Sequence, residues 1–304
     1  MHGRRELVIR ALALAGALVC AGQVVEWSLM GAWPFHDTAN CWLAGVHLRE
    51  GAAVYSGVVG TFLSMVYAPP LVVLYAALSL LPLEVLAGLQ FLAQLLALRY
   101  VMGSWRNVGL VAWLPIVPRE LVTGNVDLLM AAAVCAAVRG VRFSGATVAV
   151  FTAAKFSPVL ALAGSRREWR AFALTTVAMV AITLPWAYLW PQWVTIMAAS
   201  TTAPLESVPL LPRLPLVVAL LVVRRPWSFA AAAALATPAF YFHSAVLLLP
   251  AVRLAIAAPG AAGLLGRLVG NLPAAVARRL ASPDPARLGE PAPSEFQPDT
   301  PGAA

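Results

Sequence analysis

One carboxylate stands where a hydroxyl substrate can reach it, just after the first long apolar run of the chain. Asp37 lies in the segment Trp33-Pro34-Phe35-His36-Asp37. At the edge of an apolar run, a carboxylate can accept the proton of a hydroxyl as a general base. The structural alternative is that Asp37 is the N-cap of a short helix over 38–50. Both interpretations place a helix start here and differ in the role of the carboxylate.

The only lysine in the chain lies inside an apolar run rather than in a loop. Lys155 is one of 21 basic residues and occurs in the sequence AVFTAAKFSP. An ammonium group among apolar residues needs an anion or a wet cavity, and a lipid phosphate would serve. The alternative is a long side chain that snorkels to nearby headgroups. The Ser157-Pro158 break favours phosphate binding, because broken helices in membranes face protein or a cavity.

Further polar candidates flank two other apolar runs. Arg119 can bind phosphate oxygens in a bidentate way, or it pairs with Glu120 or Asp127 and only fixes a helix end. Asn125 belongs to the same group. His243 can transfer a proton or bind a sugar hydroxyl, or it is a hydrogen-bonded core residue among its aromatic neighbours.

The motifs of many soluble enzymes are missing from the sequence. There is no GxxxxGK[ST], HExxH or GxSxG segment and no Asp-x-Asp pair. The three cysteines, Cys20, Cys41 and Cys135, form neither a disulfide framework nor a metal quartet. A metal-held nucleotide sugar therefore has no obvious site in the sequence.

The composition identifies the medium in which these groups must work. Of 304 residues, 61% are apolar and 11% are charged, and the mean hydropathy is +0.81. An average soluble domain has about 25% charged residues, so a soluble globule is excluded. The net charge of +8 could indicate nucleic acid, but the arginines cluster in short loops between apolar runs, which is the positive-inside pattern. The sequence predicts an all-α, multi-spanning membrane protein with no nucleic-acid partner.

Apolar runs long enough to be membrane helices recur along residues 11–262, with an amino terminus (1–10) that the arginine pattern places in the cytoplasm. We expect a first extracytoplasmic loop at 33–65 and a tight inner turn at 81–84. About 8–10 membrane segments are predicted. The predicted helices lie near 11–32, 66–82, 84–102, 121–138, 143–164, 171–190, 208–223, 227–240 and 244–262.

One short run makes the topology ambiguous. If residues 108–118 cross the membrane, Arg139 and Arg142 lie outside, against the charge rule. If they lie flat at the outer face, those arginines lie inside, and 143–164 must enter and return on the same side. The Lys155-Phe156-Ser157-Pro158 break supplies a place to turn. The sequence favours this re-entrant version.

The two ends of the chain are not expected to form further domains. The first apolar run continues past Cys20, which predicts an uncleaved signal anchor. Residues 263–281 form a basic juxtamembrane segment. Residues 282–304 contain six prolines and are predicted to be a disordered cytoplasmic tail.

The order of these motifs resembles the family 87 membrane glycosyltransferases, over roughly residues 30–262. Asp37 is followed by Gly51 and Tyr55, then by Tyr67-Ala68-Pro69-Pro70, which is similar to the Asp, Gly-x-x-x-Tyr and Tyr-x-Pro-Pro sequence of the family. Arg119 with Gly124-Asn125-Val126-Asp127 is similar to an Arg followed by Gly-Gln-x-Asn. Gly145 and Lys155 to Pro158 resemble a Gly-rich helix ending in Lys-x-x-Pro, and His243 matches a histidine after a Pro-containing turn. Asn125 and Asp127 depart from the usual Gln and Asn.

The resemblance implies a GT-C-like helical bundle and the inverting transfer of a sugar, most favourably mannose, from a polyprenyl-phosphate carrier to an acceptor hydroxyl outside the membrane. Asp37 would be the general base, and Lys155 and Arg119 would neutralise the departing phosphate. His36, Asn125, Asp127, Tyr67 and His243 would bind substrate. The lipid-linked donor is a co-substrate, so no cofactor or metal is implied. A lid would come from an outer loop at 191–207, with Trp190 and Trp193 stacking on a sugar.

Other interpretations of the same architecture remain. An arabinofuranosyltransferase that uses a polyprenyl-phosphate donor would need the same fold. A non-enzymatic lipid-carrier flippase or transporter would be expected to show paired repeats with matching midplane charges. The expected location is a bacterial plasma membrane, and the expected partners are the bilayer, the lipid-linked donor and a glycolipid or polysaccharide acceptor.

Overall fold

A computed structural model of the chain describes residues 2–29, 34–55, 65–200, 208–238 and 240–258. Trp33, residues 56–64 of the predicted first loop, the segment 263–281 and the tail 282–304 lie outside the described residues. The chain divides into two compact units, 1–254 and 255–304, and only 255–258 of the second are described. The described residues form helices and no strands, so the all-α prediction is confirmed. The α-helices are α1 (His2–Leu29), α2 (His36–Glu50), α3 (Pro69–Leu78), α4 (Leu83–Met102), α5 (Trp105–Val111), α6 (Ile116–Thr123), α7 (Asp127–Val138), α8 (Ser144–Thr152), α9 (Arg166–Ile182), α10 (Leu189–Ser200), α11 (Leu214–Val223), α12 (Pro226–Leu235) and α13 (Leu249–Ala257).

Two described helices are long and apolar enough to cross a membrane. They are Glu6–Leu29 of α1 and the whole of α4, which confirms the spans predicted at 11–32 and 84–102. A third candidate joins α6 to α7 across a 110° bend. Leu14 and Leu18 of α1 are 63% and 64% exposed, as expected for a helix that faces lipid. The other described helices are shorter than a span, so the total of 8–10 membrane segments stays a prediction.

Helices α1 and α5 pack closely because each has a glycine, without a side chain, at their contact. A Cβ on Gly109 would lie 2.2 Å from the carbonyl oxygen of Ala13, and one on Gly16 would lie 2.1 Å from that of Gly109. Glu6 accepts a charge-assisted hydrogen bond of 3.2 Å from Arg106. The beginning of α1 therefore lies beside the beginning of α5.

The short helix predicted at 38–50 is present as α2, but the spanning helix predicted at 66–82 is wrong. Its helical part is α3, only ten residues long, which packs against α2: a Cβ on Gly45 would lie 2.3 Å from the carbonyl oxygen of Tyr75. The Trp42 indole donates to the carbonyl of Leu81 at 2.9 Å. The turn at 81–84 therefore lies beside α2 instead of across the membrane from it.

Helices α4 and α7 run side by side in the same direction. The amide of Gln90 donates to the carbonyl of Gly124 at 2.8 Å, so the first half of α4 lies beside the start of α7. The Arg139 guanidinium lies 5.7 Å from the ring centre of Tyr100, which joins the two C-terminal ends. We call the end that carries Gly124 the site end, and the end that carries Arg139 and Arg106 the arginine end.

The parallel arrangement decides how residues 105–123 run. The chain leaves α4 at the arginine end and enters α7 at the site end, so α5 and α6 together must return between the two ends. The interpretation in which 108–118 lies flat at one face is therefore wrong. Without a crossing at 66–82, a passage of α5 and α6 between the two ends puts Arg139 and Arg142 at the same end as the amino terminus, so the conflict with the charge rule disappears.

Residues 143–164 turn back on themselves, as the re-entrant prediction requires. Helix α8 ends at Thr152, and a 3₁₀ helix over Ser157–Gly164 follows. At the base of this hairpin, Glu168 accepts hydrogen bonds from the backbone N–H of Gly145 at 3.0 Å and from Ser144 Oγ at 3.3 Å. The two ends of the segment therefore meet at the arginine end, and its tip points to the site end.

The helices predicted at 208–223 and 244–262 start later than predicted, and each has a proline at its second residue. Short 3₁₀ helices precede α11 and α13, and the predicted helix 227–240 ends at Leu235. A buried arginine ties two of the connections together. Arg213 donates to the carbonyls of Val208, Pro209, Leu235, Thr237 and Pro238.

Candidate functional site

The break between α6 and α7 builds the floor of a polar site at the site end. Gly124 ends α6 with a φ of 69°, and a Cβ there would lie 2.2 Å from Thr38 Oγ1. Thr38 donates to the Gly124 carbonyl at 3.1 Å. Gln94 donates to the carbonyl of Asn125. Because a helix break leaves backbone carbonyls without helical partners, side chains of α2 and α4 supply them.

The lysine at the hairpin tip meets a carboxylate at this break. Lys155 Nζ lies 2.5 Å from Asp127 Oδ1, and the side chains are 16% and 0% exposed. Asp127 is in the first turn of α7, where the helix dipole also favours a negative charge. The lysine predicted to bind an anion is therefore already paired with one supplied by the protein.

A second carboxylate is buried next to this pair. Glu120 is 0% exposed and accepts a hydrogen bond of 3.1 Å from the backbone N–H of Asp127 through Oε1. Glu120 Oε2 and Asp127 Oδ2 are both buried and have no hydrogen-bond partner among the described residues. A nitrogen of His243 and one carboxylate oxygen of each residue all lie within 4.8 Å of one another.

A chain of polar contacts links three predicted substrate-binding residues. The hydroxyl of Tyr67 donates to Asn125 Oδ1 at 3.3 Å, and Asn125 Nδ2 lies 3.4 Å from His243 Nε2. The His243 ring stacks on Tyr241, with ring centres 5.4 Å apart and planes 4° from parallel. The core interpretation of His243 is thus right in part, since the residue is held by neighbours, but it also faces the carboxylates.

The candidate base lies at the rim of the same site. Helix α2 begins at His36, with Phe35 as N-cap, so Asp37 lies in the first helical turn and is not the N-cap. Its side chain is 28% exposed, and Oδ1 lies 3.4 Å from His36 Nε2. Burial raises the pKa of the Asp37 carboxyl, whereas the charges of His36 and Lys155 oppose the rise and that of Asp127 adds to it.

Comparison with known proteins decides which family carries this arrangement. Residues 65–210 match the model of Glycosyltransferase family 87. Over these residues the chain is similar to the family 87 glycosyltransferases. No curated protein and no solved structure matches the chain.

The family 87 match implies membrane glycosyltransferase activity, and it covers most of the polar site. Tyr67, Asn125, Asp127 and Lys155 lie inside the matched residues, as does Arg119. The base candidate and both histidines lie outside it. The roles of Asp37, His36 and His243 therefore rest on the geometry of this chain.

Arg119 does not pair with Glu120 or Asp127, so the interpretation in which it only fixes a helix end is wrong. It is exposed on α6 and forms no ion pair with any residue that the structure describes, whereas Glu120 and Asp127 have the partners given above. Its charge acts on His243, which places it near the polar site. The guanidinium is thus available to an anion at the site end.

The predicted outer loop at 191–207 is wrong in its first half, because α10 continues to Ser200. Residues 201–207 lie outside the described residues. Trp190 donates to Thr183 Oγ1 and Trp193 to the carbonyl of Val66, each at 3.1 Å. Trp193 lies 5.8 Å from Phe156, the residue after the lysine. Its predicted place beside the site is therefore consistent with the geometry, while sugar stacking stays a prediction.

Sequence reasoning missed the side chains that shape the floor. Gln90 and Gln94 are buried, and they stand four residues apart in an otherwise apolar spanning helix. That spacing puts both on one helix face, and polar residues inside a spanning helix are costly unless they have partners. This signal was available in the sequence.

Proposed function

We propose that this family 87 chain transfers a sugar, most favourably mannose, from a polyprenyl-phosphate carrier to an acceptor hydroxyl on the extracytoplasmic face. The observation that carries the proposal is that a partly exposed carboxylate, Asp37, lies at the same end of the bundle as the single lysine of the chain, close enough for the charge of Lys155 to act on it. A base and a phosphate-binding cation are the two groups that such a transfer requires.

The reaction is a single displacement at the anomeric carbon. Asp37 takes the proton of the acceptor hydroxyl while the oxygen of that hydroxyl forms a bond to the anomeric carbon. The bond between that carbon and the phosphate oxygen breaks, and its electron pair leaves with the phosphate. Lys155 and Arg119 would stabilise the departing charge. One displacement inverts the configuration of the sugar.

The distribution of arginines supports the proposed orientation. Gly140, Ser165 and Arg224 line one cavity of about 700 Å³, so three arginine-bearing connections lie at the same end of the bundle as Arg106. Arginine-rich loops stay in the cytoplasm. The site end would then face outward, where a soluble or glycolipid acceptor arrives from water and the donor lipid stays in the bilayer.

A transfer assay with purified protein in lipid vesicles tests the proposal. Polyprenyl-phosphate mannose and polyprenyl-phosphate arabinose are supplied in parallel, with envelope glycolipids as acceptors, and products are identified by mass spectrometry. Transfer of mannose, absent with Asp37→Asn, is the expected result. Transfer of arabinose alone would show that the sugar is arabinose and not mannose. If the protein restores the envelope glycolipids of a deletion strain but transfers sugar from neither donor, polyprenyl phosphate is not the carrier.

A further inference from the structure

Two buried carboxylates at the site end each have one oxygen without a hydrogen-bond partner among the described residues. Glu120 and Asp127 are both fully buried, and Glu120 Oε2 and Asp127 Oδ2 have no hydrogen-bond partner among the described residues. A buried carboxylate oxygen without a partner carries a desolvation cost that a native structure normally offsets. The other oxygen of Glu120 accepts a hydrogen bond from the backbone N–H of Asp127, which holds the two residues together.

With both carboxylates ionised, as metal ligands must be, two negative charges face one ammonium. One ammonium, that of Lys155, contacts the pair, and it is bound to Asp127 Oδ1. Glu120 has no cationic side chain within ion-pair distance among the residues that the structure describes. A donor phosphate entering this site would add further negative charge. Lys155 and the exposed Arg119 would then have to balance both buried carboxylates and the incoming phosphate, and a bound cation would relieve that shortage of positive charge.

We propose that Glu120, Asp127 and His243 bind a divalent metal ion that faces the phosphate of the donor. The inference rests on the proposed function for the identity of the substrate, but not for the site itself. One carboxylate oxygen from each acidic residue and one imidazole nitrogen form a mixed oxygen and nitrogen set that suits Mn²⁺ or Mg²⁺.

The geometry requires only a small closure. The three ligand atoms lie within 4.8 Å of one another, and ligands at about 2.1–2.3 Å from one ion lie roughly 3–3.5 Å apart. Ion binding would therefore have to draw the most distant ligand atoms together by about 1–2 Å. Tyr241 stacks on one face of the imidazole and leaves the ring edge with its nitrogens open to an ion, so the ring is oriented before an ion arrives.

The bound ion would change the role of the Lys155–Asp127 pair. A metal bound to Asp127 Oδ2 would weaken the ion pair between Oδ1 and the Lys155 ammonium, because the metal and the ammonium would share the single negative charge of one carboxylate. Lys155 then becomes able to turn from Asp127 to a phosphate oxygen. Metal and lysine would together neutralise the leaving group, with the metal acting as a Lewis acid on a phosphoryl oxygen.

Metal binding is measured directly on the full-length protein, purified in detergent, stripped with a chelator and given no donor. Mn²⁺ is titrated and the bound ion is followed by electron paramagnetic resonance. We expect one Mn²⁺ per chain, with Glu120→Gln and Asp127→Asn weakening the affinity at least about 10-fold, since even loss of an outer partner of a metal ligand has that effect. His243→Ala is the third variant, because a partly exposed residue is the least disruptive to remove.

A matched control separates this site from general acidity. Glu168 is also a buried carboxylate, but it lies at the base of the hairpin at the arginine end. Glu168→Gln should bind Mn²⁺ like the wild type. Size-exclusion profiles and thermal unfolding identify any variant that fails to fold, and such a variant is replaced in the comparison by His243→Ala.

The outcomes distinguish this inference from the proposed function. Stoichiometric Mn²⁺ binding that is lost in the three variants supports the site even if no sugar is transferred. Equal binding by the wild type and all variants, or none at millimolar Mn²⁺, overturns it. Sugar transfer that persists in chelator, without bound metal, would contradict the metal site and leave the proposed transferase function in place.

Discussion

The ammonium of Lys155 lies 2.5 Å from Asp127 Oδ1, so the single lysine of the chain is bound to a carboxylate of the protein itself. A donor phosphate must share or displace that partner. The pair therefore sets both the stability of the hairpin tip and the strength with which the tip can hold an anion.

Removal of the lysine alone should destabilise the protein. Lys155→Ala leaves Asp127 buried without its partner, which costs about 3–5 kcal/mol when one half of a buried pair is removed. Replacing both residues, with Lys155→Met and Asp127→Leu, should recover most of the free energy of unfolding. The double variant should still transfer no sugar. Unfolding by denaturant and a transfer assay measure the two properties; a double variant with normal turnover would show that the lysine is structural.

The base prediction separates shape from chemistry. Asp37→Asn keeps the size of the side chain and, because Asp37 is not the N-cap of α2, leaves the helix start unchanged. Turnover should fall on the order of 10²- to 10⁴-fold, while donor binding stays near that of the wild type. His36→Gln is the matched control and should cost much less. Turnover of Asp37→Asn within a few-fold of the wild type would remove the base from this residue.

The acid side of the pH profile should report the same carboxyl. Burial raises the pKa of Asp37 above the usual value of about 3.9. Because a base must be deprotonated, kcat/KM should be lost as the pH falls through this raised pKa. His36→Gln removes a positive charge that lowers the pKa of Asp37, so the acid limb should move to higher pH. A limb that stays in place in this variant would assign it to another group.

Labelling of single cysteines tests the corrected topology. Glu50 and Glu84 are exposed residues in α2 and at the start of α4, and Arg142 is exposed at the arginine end. In a cysteine-free background, Glu50→Cys and Glu84→Cys should both react with an impermeant reagent outside intact cells. Arg142→Cys should react only after the membrane is opened. Protection of the Glu84→Cys protein alone would return the 81–84 turn to the cytoplasm.

The contact between α1 and α5 makes a prediction about stability alone. A methyl group on Gly109 meets the Ala13 carbonyl oxygen, so Gly109→Ala forces the helices apart and should cost about 1–3 kcal/mol. Gly22, also in α1, has no neighbour within 4 Å of an added Cβ. Gly22→Ala should therefore be neutral or slightly stabilising. Thermal unfolding in detergent compares the two, and equal melting temperatures would argue against the close crossing.

The elements that could be predicted from the sequence are those that depend on residues close together in the chain. The sequence predicts the largely apolar helix α4 and the Lys155-Phe156-Ser157-Pro158 break, since each depends on residues that are neighbours in the chain. The span at 66–82 failed because hydropathy cannot distinguish a helix buried against α2 from a helix in lipid. Tyr75 and Gly45 decide that question, and they are brought together only by the fold.

The site was predictable as a set of residues but not as a set of partners. Asp37, Asn125, Lys155 and His243 were each identified as costly polar groups in an apolar setting. The pairing of Lys155 with Asp127 depends on the hairpin rising beside α7, and the orphan oxygen of Glu120 depends on the bend at Gly124. Both are long-range consequences of packing, which no local pattern encodes.

Arg213 exchanges the water around its guanidinium for peptide carbonyls from two separate connections of the chain. The result is a cross-link that is not covalent and that needs no oxidising environment, in a chain whose described cysteines are all free. Since a guanidinium keeps its proton at any pH that a cell meets, this fastening would hold across redox states and acidities that would open a disulfide or a histidine contact. The two connections that Arg213 joins therefore keep their relative position when the pH or the redox state of the compartment changes.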